Sequence, residues 1–197
     1  MKEGRRRRAV TYRTSTVAGI ARSLLVILCK TISYLPGKHL RIVGFRMLGA
    51  RLGRRIVMYY GADILSPRRL VIGNDCRIGF HVTLDARGGL RIGDNCNIIS
   101  QVAIWTGSHD VNSTDFKCVS SPVAIEDRVW ISFRAVIFRR CYHWRRCGGC
   151  SWRSCNQRRS ALHHRFGGVP ARIIGERRRD LDYTLGTSAG AIICCYS

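Results

Sequence analysis

Aliphatic residues recur through the middle of this chain at a spacing that fits neither a helix nor a plain strand. They fall at Met58, Ile64, Ile72, Ile78, Leu84, Ile92, Ile98 and Ile104, and the series resumes after a gap at Ile125, Ile131 and Ile137, with steps of six or eight residues. An α-helix repeats its buried face about every 3.6 residues and a half-buried strand about every 2. Six residues fit one short strand and one turn, with one aliphatic side chain per side pointing into a shared interior. The next residue is often small or acidic, as at Gly73, Gly79, Asp85, Gly93 and Glu126, which suits a turn repeated at fixed intervals. A coil of this kind cannot bury its inner face alone, so the pattern predicts an all-β solenoid of stacked repeats over residues 38–137. Hairpins with coincidental spacing would not hold eleven positions in register.

Residues 1–37 read as a basic arm, Arg5–Arg8, and an apolar helical segment, "TVAGIARSLLVILCKTISYL". Arg22 and Lys30 interrupt that segment, and its uninterrupted apolar stretch is well short of the roughly 20 residues that a bilayer span needs. No small-residue cleavage site follows it. A packing helix, an interfacial helix using the basic flank, and a true span are the three readings it admits.

The 197 residues fit one domain with a substantial core. A formal net charge of +22 and ten Cys would ordinarily point to a nucleic-acid binder with metal or disulfide chemistry. The charge is uneven, however. The stretch from Phe138 to Phe166 holds eight of the 34 basic residues, and Arg5–Arg8 holds four more. Elsewhere the Cys lack paired spacing, which predicts ordinary buried thiols in a reducing compartment.

Four stretches, "VIGNDCRIGFHVTLD", "RIGDNCNIISQVAI", "AIEDRVWIS" and "GGVPARIIGERRRD", resemble the hexapeptide-repeat acyltransferases. The order of parts is most similar to the branch of maltose, galactoside and colanic-acid or other polysaccharide O-acetyltransferases. The resemblance covers residues 38–137 and 167–185, and its specific part is the repeat followed by "TGSHD", "VWI" and "GVPAR". It implies a left-handed parallel β-helix, a trimer, and an active site between two subunits. It also implies acetyl-CoA as co-substrate, with no metal.

Residues 138–166 break the pattern. In 29 residues they carry eight Arg, four Cys, three His and two Trp, with no Val, Ile or acid. The family continues here with further coils, and the chain rejoins the pattern at Gly167 after the expected length. Length kept with pattern lost is the mark of two compensating frameshifts. Read one base later, the codons for Cys141–Trp144 permit V-T-I-G, those for Cys155–Gln157 permit V-T-K, and those for His163–Arg165 permit T-I-V. We therefore read 138–166 as an out-of-frame segment replacing further coils, and 167–197 as a C-terminal cap and tail. Cys141, Cys147, Cys150 and Cys155 are then not metal ligands, the Arg-Trp alternation is not a nucleic-acid surface, and no nucleic-acid partner is expected.

His109, in "WTGSHDVNSTDF", lies where the register stops between Ile104 and Ile125. This polar insertion must project from the coil, and projecting loops on rigid scaffolds often carry function. An acetyl transfer to oxygen needs a base near neutrality, which an imidazole supplies, and the resemblance makes His109 the catalytic base. By the same resemblance Asp85 contacts acceptor hydroxyls, while as a repeat-turn residue it equally suits capping backbone amides, and Trp130, Ser132 and Phe133 lie by the coenzyme, with Ser132 and Phe133 departing from the usual motif. Gly168, Pro170 and Arg172 match the terminal motif near the adenine and phosphate end of the coenzyme. His39, His81 and His109 are wrongly spaced for a shared metal. The expected activity is acetyl-CoA-dependent O-acetylation of a sugar hydroxyl in surface or exopolysaccharide biosynthesis, in the cytoplasm or at the inner face of the membrane. The alternative is an inactive structural solenoid whose coenzyme coils are scrambled. Sequencing the gene across codons 134–170 is expected to show the missing coils one base out of frame; an error-free read whose shifted frame lacks them would overturn the frameshift reading.

Overall fold

The computed structural model describes residues 16–110, 112–138, 148–151, 164–167, 172–176 and 183–185. Its centre is a three-sided coil of short parallel strands. The first coil holds β1 (Arg51–Leu52), β2 (Val57–Met58) and β3 (Asp63–Leu65); the second holds β4 (Leu70–Ile72), β5 (Arg77–Ile78) and β6 (Thr83–Asp85). The third holds β7 (Leu90–Ile92), β8 (Asn97–Ile98) and β9 (Ala103–Trp105). A hairpin, β10 (Gly107–His109) and β11 (Cys118–Ser120), interrupts before the fourth coil, β12 (Val123–Ile125), β13 (Trp130–Ile131) and β14 (Val136–Phe138). Each side is a parallel sheet: β1-β4-β7-β12 on the first, β2-β5-β8-β13 on the second, β3-β6-β9-β14 on the third. Arg51 pairs with Val71 and Val71 with Arg91, so neighbouring coils are 20 residues apart; Arg91 then pairs with Ala124, the extra length being the hairpin.

All eleven periodic aliphatics lie inside. Met58, Ile78, Leu84 and Ile104 are fully buried, and Ile64, Ile72, Ile92, Ile98, Ile125, Ile131 and Ile137 are no more than 2% exposed. Each such burial is worth about 1.5–3 kcal/mol. The interior also takes the thiols of Cys76 and Cys96, which donate to the carbonyls of Gly93 and Glu126 at 3.0 Å.

The corner between the first and second sheets repeats one turn. Arg55, Asp75, Asn95 and Arg128 occupy the left-handed region there, with φ of 53–58°. That conformation costs a non-glycine residue on the order of 1–2 kcal/mol. Bonds between coils offset it: the amides of Asp75, Asn95 and Arg128 donate to the carbonyls of Arg54, Asn74 and Asp94 at 2.8–3.0 Å. Beside them runs a side-chain ladder, in which the amides of Arg54, Asn74 and Asp94 donate to the Oδ1 atoms of Asn74, Asp94 and Asp127. The preceding glycines stack so closely that a Cβ on Gly53 would lie 2.6 Å from the carbonyl carbon of Gly73. The small and acidic residues after each aliphatic are thus explained by contact with the next coil. An Arg55–Asp75 pair at 2.6 Å reinforces the same corner, and Arg55 holds the Asp75 carboxyl below the usual aspartate range.

Two helices precede the coil. The sequence assigned residues 38–47 to the repeat; they instead form α2 (Lys38–Met47), which packs on β1 and β2. Its buried positions, Arg41, Ile42 and Phe45, have helical spacing, and Phe45 is fully buried against the end of the core. Arg41 reaches from α2 to the Met58 carbonyl at 3.0 Å and the Leu35 carbonyl at 2.5 Å. The first helix, α1 (Thr16–Tyr34), packs on β3 and α2, with Cys29 and Ile32 buried. Its run through Arg22 and Lys30 makes it, among the described residues, long and apolar enough to cross a membrane by length and composition. Val17, Ile20, Leu24 and Ile27 on it are exposed.

Beyond the fourth coil, β15 (Gly148–Ser151), β16 (His164–Gly167) and β17 (Arg172–Glu176) extend the second sheet. The register shifts within β15 and β16, and β17 is antiparallel. Most of residues 138–166, assigned from the sequence to an out-of-frame segment, lies outside the described residues, as does most of the tail. Residues 183–185 return to the coil: Arg77 donates through Nε and Nη2 to the Leu185 carbonyl at 3.0 and 2.6 Å, and Asn95 Oδ1 accepts the Leu185 amide at 3.2 Å. Ile98→Ala, which empties one fully enclosed interior position, is expected to destabilise the protein by about 2–5 kcal/mol, measured by urea denaturation, whereas Arg91→Ala on the exposed face of β7 changes it by less than about 0.5 kcal/mol.

Candidate active site

The corner between the third and first sheets is the long one, where the aliphatic spacing widens from six to eight. It is also where the hairpin leaves the coil in the third turn. His109 pairs directly with Cys118 across that hairpin, and Ser108 with Val119. The projecting loop expected from the sequence is therefore a two-stranded antiparallel ribbon that holds the imidazole on regular backbone.

Three contacts fix the ring. His109 Nδ1 lies 2.9 Å from the Phe116 carbonyl oxygen. A carbonyl only accepts, so Nδ1 carries the proton and, in the neutral ring, Nε2 presents its lone pair. The Phe116 ring stacks on the imidazole with centroids 4.5 Å apart and planes within 5°. Phe116 itself has φ of 45°, a left-handed conformation uncommon for a bulky residue. The loop imposes it: Asp110 N–H donates to the Lys117 carbonyl at 3.0 Å, and Phe116 N–H to Ser113 at 3.2 Å. The Cys118 sulfur lies 3.7 Å from both ring nitrogens. Being equidistant, it is in line with neither, so the thiol touches the ring without forming a proton relay through it.

Asp85, which the resemblance places by acceptor hydroxyls, lies at the root of the hairpin and accepts from its backbone amides. It is fully buried and uses both oxygens within the chain. Oδ1 accepts the Arg87 amide at 3.0 Å and Arg87 Nε at 2.9 Å; Oδ2 accepts Arg87 Nη2 at 3.1 Å and the amides of Thr106 and Gly107 at 3.2 and 2.9 Å. Burial by itself would raise this carboxyl's pKa, but the bonds from Arg87 and Gly107 outweigh it and hold the pKa below the usual range. Asp85 thus bolts the root of the hairpin to the coil and sets the plane of the Arg87 guanidinium.

Arg87 and Cys118 were not singled out from the sequence. Both line the cavity of about 380 Å³ that contains His109, together with Trp105, Ser108 and Ser120. Cys118 is exposed, unlike Cys29, Cys76 and Cys96, so the expectation of buried thiols fails at this one position among the described cysteines. Its partner across the ribbon was readable only once the loop was known to close as a hairpin.

Trp130, Ser132 and Phe133 sit elsewhere, on the second sheet and at the next corner. Trp130 and Phe133 are 39% and 43% exposed, and the Arg134 guanidinium lies 4.8 Å over the Phe133 ring. None of the three lines the His109 cavity. Exposed aromatics with a stacked guanidinium suit a nucleotide or pantetheine-like surface. Gly168 and Pro170 lie outside the described residues; Arg172 begins β17, described there by its backbone.

No family model matches the chain. It is 30% identical over 87 residues to the putative colanic acid biosynthesis acetyltransferase WcaF of Escherichia coli K12, and equally to that of Shigella flexneri, covering 44% of this chain and 48% of theirs. The chain thus spans about half the length of the curated relatives it matches. In structure it resembles the hexapeptide-repeat acetyltransferase VCA0836 of Vibrio cholerae, with a TM-score of 0.70 and 22% identity over 84% of this chain and 95% of that one. The acetyl-CoA complex of the same protein matches at 0.61 with 22% identity over 84% and 91%. AntD, an N-acyltransferase from Bacillus cereus bound to dTDP and 3-hydroxybutyryl-CoA, matches at 0.54 with 17% identity over 70% and 89%.

Asp85→Asn is expected to lower stability by on the order of 2 kcal/mol at neutral pH. Because the folded carboxyl has the depressed pKa, its contribution is present above the ordinary aspartate pKa of about 3.9 and is lost as pH falls through the lower folded value. Urea denaturation of the two proteins should therefore converge only in that acid range. By fold and by partial sequence likeness, the chain is hexapeptide-repeat acyltransferase-like.

Proposed function

We propose that the protein transfers an acetyl group from acetyl-CoA to a sugar hydroxyl in the making of a surface or exopolysaccharide. The observation that carries this is the fixed imidazole of His109, whose Nδ1 is committed to the Phe116 carbonyl while its other nitrogen is left as a base beside a cavity. Acetyl-CoA supplies an activated thioester. His109 Nε2 takes the proton from the acceptor hydroxyl as that oxygen attacks the thioester carbonyl, and returns it to the departing thiolate. Fixing the ring beforehand removes an orientational cost from the transition state. Backbone amides near Ser132 are the candidate donors to the developing oxyanion, with Trp130 and Phe133 against the coenzyme and Gly168, Pro170 and Arg172 at its far end.

The His109 ribbon and the Trp130–Phe133 surface lie at different corners of one chain. A site using both is completed by a second copy, so the reading includes a homotrimer of left-handed coils with each active site between two subunits. The exposed apolar side of α1, with Arg22 and Lys30 on it and Arg5–Arg8 preceding it, supports peripheral attachment to the inner face of a membrane with anionic lipids. The inactive-solenoid alternative rests on the register shifts in β15 and β16, in the coils where the coenzyme would extend.

Release of free thiol from acetyl-CoA in the presence of sugar acceptors separates the two. His109→Ala is expected to reduce kcat by about 10²–10⁴-fold with little change in the KM for acetyl-CoA. Absence of thiol release from the wild type across acceptors, or full activity in His109→Ala, would exclude the proposed chemistry.

A further inference from the structure

Arg87 sits where two cavities meet. One is the His109 cavity. The other, of about 410 Å³, lies between α1 and the third sheet, walled by Leu25, Val26, Ile64 and Leu65, with Arg22 as the other charged residue in its lining. The Arg87 side chain is half exposed although its partner Asp85 is fully buried. Asp85 takes one edge of the guanidinium through Nε and Nη2. Among the described residues no hydrogen bond engages Nη1, so the fork is held rigid on one side and available on the other. No carboxylate lines either cavity. A pre-set guanidinium with a second cation across a mostly apolar cavity is a receptor for a doubly charged anion, because the planar fork matches phosphate oxygens and the apolar walls reduce solvent screening.

From this we infer that the acceptor is a sugar carrying a diphosphate, gripped by Arg87 with Arg22, so that the sugar extends into the cavity where His109 waits. The inference rests on the acetyl-transfer reading of His109 but concerns a different group of the substrate. Arg87 would be a specificity-determining residue, and Asp85 a positioning residue that acts through it. A nucleoside-diphosphate sugar and a polyprenyl-diphosphate sugar share this chemistry; the apolar walls and the exposed side of α1 accommodate the second as well as the first.

The test is a calorimetric titration of inorganic pyrophosphate into the full-length protein at low ionic strength. Arg87→Gln is expected to weaken binding at least tenfold and Arg22→Gln at least threefold. Arg91→Gln, which removes one exposed charge outside both cavities, should change it by less than twofold. Should Arg87→Gln fail to fold, Arg22→Gln, on the exposed side of α1, carries the test. Binding unchanged in a folded Arg87→Gln or in Arg22→Gln, or weakened equally in Arg91→Gln, would overturn the inference. A kinetic arm separates the sources: a nucleoside-diphosphate sugar in solution, the same sugar on a polyprenyl diphosphate in phosphatidylglycerol vesicles, and its neutral methyl glycoside. Arg87→Gln should raise KM at least tenfold more for the diphosphate acceptor that is used than for the methyl glycoside, which reports any general loss from the Asp85–Arg87 pair; equal losses on both would also overturn it. If the wild type acetylates none of them, the transfer reading fails while the pyrophosphate titration still decides the role of Arg87.

Discussion

The coil closes only if each side sends one aliphatic side chain inward and every turn stacks on the one before at the distance set by backbone hydrogen bonds. That double requirement dictates nearly everything else. It sets the 20-residue step between neighbouring coils, leaves no room for a Cβ at Gly53, and forces residues as unfavourable as Arg55 and Arg128 into left-handed backbone. The strain is tolerable because each strained residue sits beneath or above another in the same state, and the amides of Asp75, Asn95 and Arg128 bond to the neighbouring coil.

The candidate site is built by departing from that rule at one corner. The hairpin bearing His109 leaves the coil where the spacing is already wide, and Asp85, the last residue of β6, ties its first two amides back to the coil below. The imidazole is therefore positioned by three levels in turn: the coil sets Asp85, Asp85 sets the root of the ribbon, and Phe116 sets the ring. A buried carboxylate with five donors is rigid in a way that a solvated one is not, which suits it to holding the root of the ribbon.

Much of the fold was legible because its period is unusual. Eleven aliphatic positions identified the interior, and the break between Ile104 and Ile125 located the projecting segment. The helix at Lys38–Met47 was not legible: its buried positions are too few to distinguish a helical period, and only the open end of the core explains why Phe45 turns inward. The site was read in part. His109 stood out because it interrupts a strict repeat, whereas Arg87 lies within one and looks like any other solvated turn residue. Its importance comes from Asp85, whose burial follows from the hairpin. Cys118 and Phe116 depend on a pairing register that a polar loop sequence does not encode in any simple period.

The three corners differ in what they can absorb. At the Gly53–Gly73–Gly93 corner an added residue would collide with the adjacent rung, and the damage would spread through the stack. The corner that carries the ribbon has already taken an excursion of many residues with the rungs on either side still paired. Variation among chains of this architecture can therefore accumulate at one edge of the prism by lengthening or regrafting its loop, while the Gly53–Gly73–Gly93 edge stays frozen.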